Sequence, residues 1–328
     1  MSRIVVIGAS AGGVPALMHL TTQLPRDFPS PILVVLHIGA HNSILPSLLA
    51  QNCALEVAHA RHGETLRAGC IRVAPPDHHM LVTENRIELT RGAKENHSRP
   101  AIDPLFFTAA STHGPGAIGV ALTGQLDDGT AGLQAIKRRC GISVVQDPAD
   151  AAEPSMPASA LRHVDVDHCL PLALIPMLLQ SLASQPLESP MPASDPTLQH
   201  EEALLRGDGN PMAHLQAIGR PSPYACQACH GGLWHLLDSR PTRFRCHTGH
   251  AYTARSLQTA LADTSDDAIW NGMRALEERQ LLLGQMAQLR QSEGDEDESG
   301  RLLQAAGELS RQVGLLRELT ENAPKPPH

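Results

Sequence analysis

Three short stretches carry side chains that could share one reaction. Ser10 ends the apolar run in "VVIGASAGG", His37 ends "ILVVLH", and Asp127 and Asp128 follow "GVALTG" in "LTGQLDDGTAG". A serine hydroxyl becomes a useful nucleophile when a base takes its proton, a carboxylate orients that base, and fixed donors receive the developing oxyanion. Ser10, His37 and Asp128 are the candidates for the first three roles. The backbone at Ala11 and Gly12 is the candidate for the fourth, and Gln125 would border the same cleft. The competing chemistry for "GASAGG" is phosphate binding at a helix N-terminus. Its fingerprints fail: Gly8, Gly12 and Gly13 do not form G-x-G-x-x-G, and the first lysine in the chain is Lys94. Tyr224 and Tyr252 are followed four residues later by Ala228 and Ser256, so the Tyr-x-x-x-Lys pair of short-chain dehydrogenases is missing as well.

For these groups to meet, each must lie just past the end of a strand in one parallel sheet. The pattern fits. Strand-like runs occur at 3–8, 31–37, 70–75, 116–124 and 141–147, with a hairpin-like pair over 79–89. Helix-like stretches at 12–23, 43–51, 103–112, 129–139 and 170–183 separate them. Several of the strands lack polar alternation, as strands covered on both faces do. A doubly wound α/β fold over 1–184 is expected, with a mostly parallel sheet and its site at the carboxyl ends of the strands. Asp103, in "RPAIDPLF", is expected to cap or organise a loop instead of serving the triad. Met156 and the "AEPSMPASA" loop are expected to border the cleft, with structural support and substrate contact as the alternative roles.

Past residue 184 the character changes. Seven prolines between 186 and 223 predict a linker over 185–223, broken by one short helical patch at "HEEALLR" (200–206). A Cys/His module over 224–262 follows, in which Cys226, Cys229, Cys246 and His250 have the spacing C-x2-C-x16-C-x3-H. Two thiolates on a C-x2-C turn and a second pair downstream suit a structural zinc ion, with His230 and His247 as alternative ligands. Buried free thiols without metal are the competing reading. Four protein ligands would leave no open position, so no cofactor is expected for catalysis. From 263 to 322, apolar residues at three-to-four spacing on either side of "EGDEDESG" predict two amphipathic helices, suited to a partner or to self-association.

The composition limits the remaining classes. Of the 328 residues 42% are hydrophobic but only 2% aromatic, so the core must rest on Val, Leu, Ile and Ala. A net charge of −8 with no basic patch argues against nucleic acid. No apolar run is long enough to span a membrane. An odd set of seven cysteines, four of them scattered, and the absence of a leader predict a reducing, cytoplasmic setting.

Read together, "IGASAGG", "VVLH", "IRVAPPDHHMLV", "SRPAIDPLFFTAA", "ALTGQLDDGTAG" and "VVQDPADAAEPSMPASAL" resemble the chemotaxis receptor methylesterases of the CheB type. The resemblance implies hydrolysis of glutamate methyl esters on chemoreceptor cytoplasmic domains, with glutamine deamidation as a further activity. It carries the serine, histidine and aspartate roles onto Ser10, His37 and Asp128. Three stretches depart from the family pattern: Ala11 stands where Thr is common, Leu36-His37-Ile38-Gly39 where Gln-His-Met-Pro is usual, and Gln125-Leu126-Asp127 where Met-Gly-Asn is usual, with Gln125 at the Met position. Members of the family often carry a regulatory receiver domain ahead of the catalytic one. Here the first strand begins near residue 3, so either constitutive activity or control by the C-terminal part is expected instead. The departures leave two rivals, an inactive scaffold on the same fold and a serine esterase with another substrate.

Overall fold

The computed structural model describes residues 3–38, 43–187, 190–237 and 239–321. Its elements in chain order are β1 (Ile4–Ala9), α1 (Gly13–Thr22), β2 (Ile32–Leu36), α2 (Leu45–Ala50), β3 (Glu56–His59), β4 (Cys70–Val73), β5 (His79–Val82), β6 (Ile87–Thr90), α3 (Ile102–His113), β7 (Ala117–Ala121), α4 (Thr130–Arg138) and β8 (Ile142–Gln146). There follow α5 (Ser155–His163), β9 (His168–Leu170), α6 (Ile175–Ser184), α7 (Pro196–Arg206), α8 (Pro211–Ile218), β10 (Gly219–Ala225), β11 (Gly232–Leu236), β12 (Arg243–Cys246), β13 (Ala251–Thr253), α9 (Ala254–Ser292) and α10 (Glu296–Glu321). The chain divides into two compact units, 1–257 and 258–328.

The main sheet has seven parallel strands in the order β3-β4-β2-β1-β7-β8-β9. Both of its faces are covered. Ile4 and Val6 of β1 pack with α3, α4 and α5, whereas Val5 and Ile7 pack with α1, α2 and α6. This is why β1 and β2 read as unbroken apolar runs. The chain runs from β1 to β2 and on to β3 at the sheet edge, inserts β4 between β3 and β2, then crosses to continue on the other side of β1 with β7, β8 and β9. The β1 carboxyl end is thus flanked by loops that leave in opposite directions, the place where open α/β sheets form their clefts. β5 and β6 pair as the expected antiparallel hairpin.

The first correction concerns 185–223, where the helical patch at 200–206 is the end of a longer helix, α7, and a second helix, α8, follows. Prolines 196 and 211 sit in the first turns of α7 and α8, with Asp195 and Asn210 as side-chain caps. Proline at a helix start loses nothing, because the first amides have no intrahelical partner. A second difference follows from the same folding: β10 to β13 form a four-stranded antiparallel sheet that lies in one compact unit with the main sheet. The sequence reading also passed over β3, β9 and α5.

In the second unit α10 returns along α9. Arg317 pairs with Glu277 at 3.1 Å, and the Ser299 hydroxyl donates to the Ala287 carbonyl at 2.9 Å. Leu281, Leu282, Leu289, Leu303, Leu315 and Leu319 are exposed. No helix among the described residues is long and apolar enough to cross a membrane.

Candidate active site

The register of three adjacent strands brings the expected groups together. The Ser10 amide donates to the Thr123 carbonyl at 3.0 Å, and the His37 amide donates to the Ala9 carbonyl at 3.3 Å. These bonds extend the β2-β1-β7 pairing one step past the strand ends. Ser10 Oγ lies 3.0 Å from His37 Nδ1, and His37 Nε2 lies 2.7 Å from Asp128 Oδ2. Asp128 is buried and charged when ionised, so the imidazole proton belongs on Nε2. Nδ1 is then left as an acceptor facing the serine.

Asp128 is held from several directions. Its Oδ2 also accepts the Ile102 amide at 2.7 Å, and its Oδ1 accepts the Asp103 amide at 3.4 Å and the Asn96 Nδ2 at 3.1 Å. Ile102 and Asp103 open α3, so the carboxylate fills that helix N-terminus, where free amides and the macrodipole favour negative charge. Burial opposes ionisation of Asp128. The hydrogen bond and charge of His37, the Ile102 amide and Asn96 outweigh it and hold the carboxyl at about 2.

Asp103 does organise structure, though its side chain does not cap its own helix. It lies inside α3, and its Oδ1 accepts the Gly132 amide of α4 at 2.7 Å. Asp128 and Asp103 thereby cap each other's neighbouring helices. Asp103 Oδ2 has no partner. Burial and the nearby Asp128 charge push the Asp103 carboxyl well above the usual range. His79, also buried, donates from Nε2 to the Ala93 carbonyl at 3.0 Å and accepts the Ala101 amide on Nδ1 at 3.2 Å. Burial lowers it to about 4, making it a neutral core histidine.

The turn after β1 is built by close packing. Gly12 is the residue before α1 and has φ 74°. A Cβ there would also lie 2.8 Å from Ala152 Cβ. A Cβ on Gly124 would come within 2.9 Å of Ser10 Cβ and 2.8 Å of Met156 Cε. Thr123 Oγ1 donates to the Ala11 carbonyl at 3.0 Å and accepts the Glu153 amide at 2.8 Å, pinning both loops. Ala11 and Gly12 therefore stand at the entry to α1, where backbone amides lack carbonyls four residues back. Gln125 is exposed beside this turn, whereas Met156 is buried beneath it.

The Cys/His residues also converge. Ligand atoms of Cys226, Cys229, Cys246 and His250 all lie within 4.8 Å of one another. The Cys226–Cys229 turn joins β10 to β11, and Cys246 with His250 occupies the turn from β12 to β13. Cys229 Sγ is 3.7 Å from Cys246 Sγ, and Cys246 Sγ is 3.6 Å from His250 Nδ1. Thiolates about 2.3 Å from a tetrahedral zinc ion are roughly 3.8 Å apart, so the donor set and its spacing fit that ion. His230 and His247 lie outside this cluster.

Asn96, Thr123 and Gly124 were not singled out from sequence. "LTG" held a signal for the last two, since a small residue after a strand invites close approach. Asn96 had none.

A parallel α/β sheet with a serine, a histidine and an acid at three neighbouring strand ends defines the hydrolase-like class of site. Comparison then supplies the family. The family model described as CheB methylesterase matches residues 5–179. The chain belongs to the CheB methylesterase family. A putative protein-glutamate methylesterase/protein-glutamine glutaminase of Leptospira interrogans is 39% identical over 186 residues, which are 56% of this chain and 96% of the relative. A protein-glutamate methylesterase/protein-glutamine glutaminase 2 of Anaeromyxobacter dehalogenans is 41% identical over 181 residues, 55% of this chain and 53% of that one. The chain thus spans about half the length of that second relative. The crystal structure of the Thermotoga maritima CheB methylesterase catalytic domain superposes with a TM-score of 0.54 at 33% identity, covering 56% of this chain and 99% of that one.

Proposed function

We propose that this chain hydrolyses glutamate methyl esters on the cytoplasmic signalling helices of chemoreceptors, with Ser10 as nucleophile, His37 as general base and Asp128 as its orienting acid. The observation that carries this reading is the continuous chain from Ser10 Oγ through His37 to Asp128, at 3.0 and 2.7 Å. His37 Nδ1 takes the Ser10 proton while Oγ attacks the ester carbonyl. Amides at Ala11 and Gly12 receive the oxyanion. His37 returns the proton to the departing methoxide, methanol leaves, and the same base then activates the water that frees the glutamate. General-base catalysis contributes roughly 10²–10⁴-fold, and one oxyanion donor roughly 10²–10³-fold. A glutamine side chain entering the same cycle would release ammonia. Deamidation is expected to be slower, because an amide resists attack more than an ester does.

Labelling by a fluorophosphonate probe tests the nucleophile. The wild type is expected to label at Ser10, and His37→Ala to label far more slowly. A protein that labels nowhere would favour the inactive scaffold.

We also propose a structural zinc ion at Cys226, Cys229, Cys246 and His250, supported by the donor types and their spacing. It would lock the two turns of the small sheet and take no part in the ester chemistry. Stoichiometric zinc in the purified chain, largely lost in Cys226→Ser, is the expected result of metal analysis. A variant that keeps its full zinc content would count against these ligands.

A further inference from the structure

We propose that the small C-terminal sheet positions the acid of the triad, with Asn96 as the positioning residue that joins strand β13 to Asp128. The inference rests on the serine-hydrolase reading of Ser10, His37 and Asp128, and it concerns a part of the chain beyond the 5–179 family match.

The connection begins in the backbone. The Asn96 amide donates to the Ala251 carbonyl at 2.9 Å, and the Ala251 amide donates to the Lys94 carbonyl at 3.3 Å. The loop carrying Asn96 is thus added to the edge of β13. Asn96 has φ 48°, a left-handed conformation that asparagine tolerates better than most residues. From there its side-chain amide faces two ways. Oδ1 accepts the Thr253 amide at 2.9 Å and the Ser256 hydroxyl at 2.8 Å. Nδ2 donates to Asp128 Oδ1 at 3.1 Å. Two donors on Oδ1 fix the amide so that its nitrogen, and not its oxygen, meets the carboxylate. Thr253 Oγ1 reaches the neighbouring acid as well, donating to Asp127 Oδ1 at 2.6 Å. Asn96, Asp127, Asp128, Thr253 and Ser256 are all buried, so water cannot replace a lost bond at low cost.

The small sheet is firmly anchored behind this contact. Arg245 is buried between Glu95, which precedes Asn96, and Glu201 of α7, and it also donates to the Gly249 carbonyl at 2.9 Å. Arg243 pairs with Glu201 at 2.6 Å and lies 4.9 Å over the Phe107 ring of α3. Strand β12 is therefore tied both to the Asn96 loop and to the helix whose N-terminus Asp128 fills. Without Asn96, Asp128 Oδ1 would keep only the Asp103 amide at 3.4 Å. The carboxylate would then turn more freely beneath His37.

The full chain tests this with p-nitrophenyl acetate turnover, the rate of fluorophosphonate labelling at Ser10, and thermal unfolding. Asn96→Ala is expected to lower kcat and the labelling rate about tenfold, as loss of a charge-assisted hydrogen bond does, with KM unchanged. Asn96→Asp keeps an acceptor for Thr253 and Ser256 but removes the donor to Asp128, and should lose at least as much. Thr253→Val should lose less, and Thr253→Ser, which keeps the hydroxyl, should stay near wild type. Ser222→Ala is the control, since that hydroxyl bonds only within its own sheet, to Leu233 and Tyr224. A folded Asn96→Ala with wild-type kcat would overturn the proposal. So would losses that follow the unfolding temperature across all variants, Ser222→Ala included. A wild type that fails to label would sink the hydrolase reading and this inference with it, whereas a labelling wild type with indifferent variants would sink the inference alone.

Discussion

Helices α1 and α3 both begin at the triad, and their N-termini are used in opposite ways. At α3 the first amides are occupied by the Asp128 carboxylate, a charge present before any substrate arrives. At α1 the entry residues Ala11 and Gly12 lie beside Ser10, where a charge would exist only while the ester carbonyl is tetrahedral. On the proposed function, the same physics, unpaired amides and a positive dipole end, would serve ground-state order in one place and transient stabilisation in the other. The supports differ accordingly. The α1 turn depends on backbone packing so tight that Gly12 and Gly124 have no room for a side chain. The α3 end depends on side chains, with Asp128, Asp103 and Asn96 drawn from separate segments.

The sharpest way to break the α3 half is Asp128→Asn. It removes the charge while keeping the shape, and it disfavours the Nε2–H tautomer of His37. Turnover is expected to fall by about 10⁴-fold, measured as kcat on an activated ester. The same change weakens the α3 cap and should cost about 1 kcal/mol of stability. That cost has a defined pH window. The folded carboxyl is held at about 2, below its ordinary value, so its stabilisation is present above that ordinary value and is lost as pH falls toward about 2. Unfolding temperatures of the wild type and Asp128→Asn should therefore approach each other in acid.

Gly124→Ala probes the α1 half. Its new methyl group would press on Ser10 Cβ and Met156. Destabilisation of about 1–3 kcal/mol is expected from the overpacking, with slower fluorophosphonate labelling than in the wild type. Normal stability and labelling would show that the turn has more room than its geometry indicates.

Asp103→Asn should have the smallest effect and the opposite sign. The Asp103 carboxyl is raised by burial and by Asp128, so the unfolded chain releases this proton at lower pH than the folded one. Native stability is therefore penalised increasingly as pH rises above the ordinary carboxyl range. The isosteric amide retains an acceptor for Gly132 and removes that penalty. Asp103→Asn should unfold at a higher temperature than wild type at pH 8, with the gap narrowing at pH 5. A gap that does not change with pH would show that Asp103 ionises without cost.

The sequence disclosed the α1 half more fully than the α3 half. Ser10, His37 and Asp128 each follow an apolar run, and a pattern confined to ten residues reveals a strand end. The prolines of 185–223 misled because a breaker inside a helix and a starter at its first turn look alike until the caps Asp195 and Asn210 are noticed. Pro154 and Pro157 hid α5 in the same way, and β3 and β9 are too short to show a period. The link from Asn96 to Thr253 spans 157 positions. It depends on β13 adding to a loop edge, so no local pattern encodes it. The Cys/His spacing was legible, but its sheet's attachment to the triad was not.

Methanol release from a methylated chemoreceptor cytoplasmic fragment, with wild type and Ser10→Ala side by side, tests the central claim most directly. The account requires release by the wild type and its loss in the variant. Equal release from both would remove Ser10 as the nucleophile, and no release from a wild type whose Ser10 still labels would keep the hydrolase while discarding the chemoreceptor as its substrate.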